Sequence, residues 1–254
     1  MDVKGCAAIV TGGGSGMGAE TGRFLAAAGA KVALLDVNLD GAKQVAGEIG
    51  GLALECNVAD AASAQAAIAK ARETHGPARI CINCAGIAPA KRIVGRDGPM
   101  PLEDFTRVID VNLVGTFNIM RLAAADMQTL DPVTESDERG VIICTASIAA
   151  FEGQIGQAAY SASKGGVVSL TLQAAREFAS NGIRVVTIVP GLIATPMLLS
   201  MPKEVQESLA QQPPFPKRFG RPDEYAKLAM HIIDNEMING DCIRLDGAIR
   251  MQPK

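Results

Sequence analysis

The stretch GQAAYSASKGG, residues 156–166, carries Tyr160, one of two tyrosines in the chain, and a lysine four positions later at Lys164. Four residues is a little more than one helical turn, so on an α-helix the two side chains are neighbours on one face. A phenol with a pKa near ~10 is a poor base at neutral pH, and an adjacent ammonium favours its ionised form. Tyr160 is therefore a candidate general base that removes a proton from an alcohol. Ser147 ends the apolar run GVIICTAS shortly before it and can hydrogen-bond the oxygen of the same alcohol. Alone, each of the three has an ordinary role, as packing aromatic, solvated lysine or strand-end serine.

A second cluster changes the weighing. TGGGSGMG follows the first apolar run, with Gly12, Gly16 and Gly18 in the pattern G-x-x-x-G-x-G at the opening of a helix. Glycines there permit a tight turn, a close approach of backbone to pyrophosphate, and close helix packing, with the helix N-terminus facing the anion. The next run, KVALLD, ends in Asp36, where a carboxylate accepts hydrogen bonds from the adenosine ribose and repels a 2′-phosphate. No Arg or Lys directly follows it in DVNLDG, so NAD is expected rather than NADP. With a dinucleotide upstream, the chemistry of Ser147, Tyr160 and Lys164 becomes hydride transfer from a carbinol carbon, and the positive nicotinamide ring further favours the phenolate.

These residues need elements to position them. The runs CAAIVT, KVALLD, LALEC, ARICINCAG, GVIICTAS, IRVVTIVPG and DCIRLDG are short, rich in Val and Ile, and bounded by Gly, Asp, Asn or Pro, as buried parallel strands are. Between them lie helical stretches, including FTRVIDVNLVGTFNIMRLAAADM and YSASKGGVVSLTLQAAREFASNG. Alternation along residues 1–254 predicts one Rossmann-type, doubly wound α/β domain of about seven strands with helices on both faces. PAKRIVGRDGPMPLED and TLDPVTESDERG lack periodicity and are expected to be surface insertions. Residues 191–220, Pro-rich with Met and Leu, follow a strand end and are expected to cover the substrate.

Composition narrows the function classes. The chain has 254 residues, 48% hydrophobic and 20% charged, with a net charge of −3 and no dense basic cluster. A large buried core is expected, and neither nucleic acid nor membrane is an expected partner. No signal-like N-terminus and no apolar run near the ~20 residues of a membrane span is apparent, so a cytoplasmic protein is expected. The six cysteines are read as reduced; CINC, residues 81–84, is a C-x-x-C, but a strand points positions three apart to opposite faces, so no metal site is expected. A serine hydrolase fails on inventory, with two histidines and no G-x-S-x-G elbow. His75 is read as capping or solvated and His231 as packed.

TGGGSGMG, NCAG, VNLVGT, Ser147 followed by YSASK, and PGLIATP together resemble the short-chain dehydrogenase/reductase family over essentially the whole chain. The resemblance implies a catalytic tetrad of Asn112, Ser147, Tyr160 and Lys164, with Asn112 supporting a water-linked proton relay to Lys164. It also implies cofactor contacts at Ser15, Met17, Asp36, Val58, Asn83, Cys84, Ala85, Gly86, Tyr160, Lys164, Pro190, Gly191, Ile193 and Thr195. Asn57 departs from the family's usual Asp beside the adenine; its amide oxygen can still accept from the adenine amino group.

Within the family, TASIAAFEGQIGQAAYSASKGG, QQPPFPKRFGRPDEYAKL and NGDCIRLDGAIRMQP look like the type II 3-hydroxyacyl-CoA dehydrogenase group. That likeness implies a 3-hydroxyacyl-CoA substrate, short or 2-methyl-branched, with hydroxysteroids as side substrates. It further implies Gln157 as a substrate contact beside Ser147 and Tyr160, and a homotetramer whose interface the C-terminal tail helps to form. An NADPH-dependent 3-oxoacyl carrier-protein reductase, a hydroxysteroid dehydrogenase and a nonenzymatic NAD-binding subunit remain open as alternatives. Lys91, Arg92 and Arg96 are read as solvated loop charges, with CoA phosphates as their other use.

Overall fold

The computed structural model describes residues 1–253. Seven of the apolar runs pair side by side into one parallel sheet in the order β3-β2-β1-β4-β7-β8-β9. In chain order the elements are β1 (Ala7–Thr11), α1 (Gly16–Ala27), β2 (Lys31–Asp36), α2 (Leu39–Ile49), β3 (Leu52–Glu55), α3 (Ala61–His75) and β4 (Ile80–Asn83). A short hairpin of β5 (Val94–Gly95) and β6 (Gly98–Pro99) precedes α4 (Leu102–Ile109), a π-helical turn (Asp110–Val114) and α5 (Gly115–Met127). Then come β7 (Gly140–Thr145), a 3-10 turn (Ile148–Ala150), α6 (Ala158–Phe178), β8 (Ile183–Pro190), α7 (Pro196–Leu199), α8 (Lys203–Ala210), α9 (Pro222–Asp234) and β9 (Cys242–Leu245).

Period-two geometry sorts the strand side chains into two cores. Ile9, Ala33, Leu35, Cys81, Ile142, Cys144 and Val185 face α3, α5 and α6. Ala8, Val10, Leu34, Ile80, Ile82, Ile143 and Val186 face α1, α2 and α9. A strand covered on both faces has no solvent side, which is why these runs read as continuously apolar. The order reverses between β1 and β4, and the crevice outside the carboxyl ends of such strands is where an open α/β sheet holds its ligand.

Four expectations are corrected. PAKRIVGRDGPMPLED is not wholly irregular, because Val94 and Gly95 pair with Pro99 and Gly98. TLDPVTESDERG is not all surface, because Glu138 is buried against Arg184 at 2.7 Å. Arg184 also donates to the carbonyls of Ile232, Ile233 and Ile238, and a guanidinium so enclosed requires a counter-charge. The run Leu102–Met127 is long and apolar enough, by length and composition, to cross a membrane, and half of its apolar window is buried inside the fold. His231 is exposed in the last turn of α9 rather than packed.

Candidate active site

The carboxyl ends of β1, β2, β4, β7 and β8 open onto one cleft of about 480 Å³, within the size range of small-molecule sites. Gly12 leaves β1 with φ +65°, and a Cβ there would meet the Ala85 nitrogen and the Cys84 carbonyl carbon, both at 2.9 Å. A Cβ on Gly18 would lie 2.2 Å from the Gly12 carbonyl oxygen, so α1 packs against its own loop only with glycine in that place. Ser15 stands at the N-cap of α1 in extended conformation, yet makes no side-chain cap bond, and the first turn holds no acidic residue. The helix therefore presents uncapped N–H groups and a free hydroxyl to the cleft, and this cradle fits a pyrophosphate.

Asp36, at the end of β2, does more than line the cleft. Its carboxylate accepts from Gly14 N and Asn38 N, both at 2.9 Å, so it also holds the glycine loop in place. Asn57 and Val58 line the adjoining wall, with the Asn57 amide oxygen already accepting from Ala59 N at 3.1 Å. Gly16, Met17, Cys84, Ala85, Gly86, Pro190, Gly191, Ile193 and Thr195 complete this end. Asn83 does not reach it: its side chain is buried, with the amide nitrogen facing the Cys81 and Cys144 sulfurs at 3.7 and 3.8 Å. Cys81 belongs to one core and Cys84 packs against the other, so the C-x-x-C pair is split by the sheet, and burial pushes both thiols up.

At the other end of the cleft, Ser147 follows β7 and accepts from Ala149 N at 3.2 Å, which holds its extended backbone at the mouth of the 3-10 turn. Tyr160 and Lys164 stand in α6, the ammonium 5.9 Å from the ring centre. Lys164 is buried, and its Nζ donates to the Thr145 carbonyl at 2.7 Å. Burial lowers its pKa from 10.5 to about 8. For Tyr160, burial pushes the phenol up from its ordinary value and a hydrogen bond with Ser147 pulls it down. Burial is the larger of the two effects. The second tyrosine, Tyr225, is fully buried, shares a 2.7 Å bond with the Thr145 hydroxyl and has no access to the cleft.

Asn112, in the π-helical turn, is fully buried rather than cleft-lining. Its amide oxygen accepts from Ile87 N at 2.8 Å, and its amide nitrogen donates to the Ile87 carbonyl at 2.9 Å and to Ser163 Oγ at 3.0 Å. It ties the segment after β4 to α6, behind Lys164. Gln157 lines the cleft beside Gln154. Lys91 is drawn to Asp104, and Arg92 and Arg96 are exposed and outside the cleft wall.

Sequence reasoning missed several wall residues. Residues 191–220 do overhang the cleft, with Leu198, Met201 and Leu209 facing in, and the bridge between Ile193 and Gly220 closes the neck of this flap. Met251, from the C-terminal tail, also lines the cleft. The Pro and Leu content signalled the flap; nothing in the tail's composition signalled its return.

Comparison with known proteins agrees with this geometry. A family model described as short chain dehydrogenase matches residues 6–206. The 3-hydroxyacyl-CoA dehydrogenase type-2 of Rattus norvegicus is 51% identical over 99% of this chain and 97% of its own length, and that of Homo sapiens 50% over the same shares. The crystal structure of 3-hydroxyacyl-CoA dehydrogenase type-2 from Mycobacterium avium superposes with a TM-score of 0.91 at 44% identity, covering 98% of each chain. A 3-ketoacyl-(acyl-carrier-protein) reductase from Brucella melitensis, complexed with NADH, gives 0.85 at 30% identity, covering 98% of this chain and 100% of that one.

Proposed function

Because this chain belongs to the short-chain dehydrogenase family and is an oxidoreductase that uses a nicotinamide cofactor, we propose that it oxidises a short or 2-methyl-branched 3-hydroxyacyl-CoA to the 3-oxoacyl-CoA with NAD. The observation that carries this reading is the placement of Ser147, Tyr160 and a buried Lys164 at one end of a cleft whose other end holds Asp36 beside the uncapped N-terminus of α1. A bound nicotinamide would supply the hydride acceptor for the carbinol carbon. Ser147 holds the substrate oxygen, and Tyr160 takes its proton. Lys164, fixed by the Thr145 carbonyl, sets its ammonium beside the phenol and lowers the cost of the phenolate that this transfer needs. Asp36 would hold the ribose hydroxyls and the α1 N-terminus the pyrophosphate.

The reductase of Brucella melitensis prompts an NADPH-linked carrier-protein reductase as the rival. Against it stands Asp36, followed by the uncharged Val37 and Asn38, which leave a 2′-phosphate facing a carboxylate. The acyl-CoA preference is supported by the type-2 dehydrogenases, half identical over nearly their whole length. We extend the proposal to a homotetramer, supported by the exposed apolar side chains of Val114, Phe117 and Leu172, and to a reducing cytoplasmic setting, supported by six unpaired thiols.

The test is reduction of NAD and of NADP by purified protein with 3-hydroxybutyryl-CoA, 2-methyl-3-hydroxybutyryl-CoA and a 17β-hydroxysteroid. Faster turnover of an acyl-CoA with NAD is expected. A preference for the steroid, or for NADP, overturns the substrate or the cofactor part respectively.

A further inference from the structure

The cleft is lined in part by Met251, from a segment that belongs to no strand or helix. Beyond β9 the chain turns back through Gly247 and Ala248, with φ of 60° and 64°, a left-handed conformation that alanine rarely adopts. Terminal segments fray unless tied down. This one is anchored by Ile249, buried in the core, and beyond it the Glu152 carboxylate, on the loop between Ser147 and Gln157, gathers the most bonds.

Glu152 Oε1 pairs with Arg244 Nη2 at 2.9 Å and Arg250 Nε at 3.4 Å, while Oε2 accepts from Met251 N at 2.9 Å. Arg244 is held in turn by Asp246 at 2.6 Å. Around this centre the two segments exchange further bonds: Ile155 N donates to the Pro253 carbonyl and Gln154 Nε2 to the Gln252 carbonyl, each at 3.0 Å. Glu152 and both arginines lie outside the cleft wall, whereas Met251, Gln154 and Gln157 form part of it. The ion pairs thus hold a wall they do not belong to. Glu152 is largely shielded, at 17% exposure, and a carboxylate with two guanidiniums and a backbone N–H on it is well placed to order a loose segment.

The geometry points to Met251 as the residue that limits substrate size at this end of the cleft, and to Glu152 as the positioning residue that latches the tail carrying it. The inference rests on the proposed acyl-CoA substrate for its kinetic arm only. Methionine is flexible and apolar, suited to an alkyl chain. Shortening it opens space of several methylenes, and one methylene in an apolar pocket changes discrimination by roughly 10-fold or more.

The test combines amide hydrogen exchange of the full chain, followed at Met251 and Ile155, with kinetics on 3-hydroxybutyryl-CoA and 3-hydroxyoctanoyl-CoA. Glu152→Gln is expected to speed exchange at both amides by at least ~10-fold and to raise KM for acyl-CoA more than it changes kcat, with NADH binding unaltered. Met251→Ala is expected to raise the octanoyl-to-butyryl ratio of kcat/KM about tenfold. Arg250→Ala, which removes only the outer cation, should reproduce the exchange change at smaller size and serves if Glu152→Gln fails to fold. Unchanged exchange at Met251 overturns the latch, and an unchanged substrate ratio in Met251→Ala overturns the size limit. Wild-type protein inert towards both acyl-CoAs would contradict the proposed substrate and the size limit with it, while the exchange contrast would still decide the latch.

Discussion

Asp36 performs two tasks with one carboxylate, and its replacement should show both. Its bonds to Gly14 N and Asn38 N hold the glycine loop, while its charge opposes a 2′-phosphate. Asp36→Ala is expected to raise KM for NAD by about 10-fold and to narrow the NAD over NADP preference; an unchanged preference would remove Asp36 as the discriminator. Lys164 gives a pH signature. Its folded pKa of about 8 lies below the ordinary 10.5. Between those values the unfolded chain holds a proton that the folded chain has lost, so this group's contribution to stability rises with pH through that window. Below about pH 8 the buried ammonium is a full penalty. Lys164→Met removes the penalty, so the stability of the variant relative to wild type should fall by on the order of 2–3 kcal/mol between pH 7 and pH 10. Denaturant unfolding at both pH values checks this, and a constant difference would contradict it. Tyr160 and Lys164 were legible in the sequence because side-chain type and helical spacing both register there. The Thr145 carbonyl that anchors Lys164 was not, since any residue supplies a carbonyl.

The element that places Asn112 is a π-helical turn between α4 and α5, a run that reads in the sequence as one unbroken helix. Such insertions recur at functional sites and leave little trace in periodicity. Here the turn brings the Asn112 amide onto both polar groups of the Ile87 backbone and onto Ser163 in α6. Asn112→Ala would leave the part-buried Ile87 N–H and carbonyl without these partners, so a loss of about 1–2 kcal/mol in unfolding free energy is expected. Stability within ~0.5 kcal/mol of wild type would show that the strut is dispensable. Strands were legible for the opposite reason to the π turn: burial on both faces makes them uniformly apolar, as in β7, where all six residues are buried. Asn83 was misplaced because alternation within β4 decides which side chains reach the cleft, and the motif alone does not carry that phase. The tail was expected at a subunit interface, and its pairing with Glu152 escaped notice because it spans about a hundred residues, a distance at which charge pattern says nothing.

At the scale of the whole molecule, the sheet brings residues more than a hundred positions apart to one edge, with Gly12 and Asp36 on the cofactor side and Ser147, Tyr160 and Lys164 on the chemical side. The fold class followed from strand and helix alternation plus the glycine loop, and most of the cleft wall from the resemblance to the short-chain dehydrogenase/reductase family. The flap's inward residues and the tail did not, because irregular segments take their shape from tertiary contacts. The likeness to the type II 3-hydroxyacyl-CoA dehydrogenase group leads to the expectation of four chains in one particle by sedimentation velocity, with the exposed apolar side chains of Val114, Phe117 and Leu172 available to be covered. A monomer at micromolar concentration would contradict it. The proposed oxidation of an acyl-CoA alcohol with Tyr160 as base is tested by comparing wild type with Tyr160→Phe. NADH binding is followed by fluorescence and NAD reduction by absorbance with 3-hydroxybutyryl-CoA. Unchanged NADH affinity and a fall in turnover of roughly 10³-fold or more are expected. Turnover within ~10-fold of wild type would show that another group takes the proton.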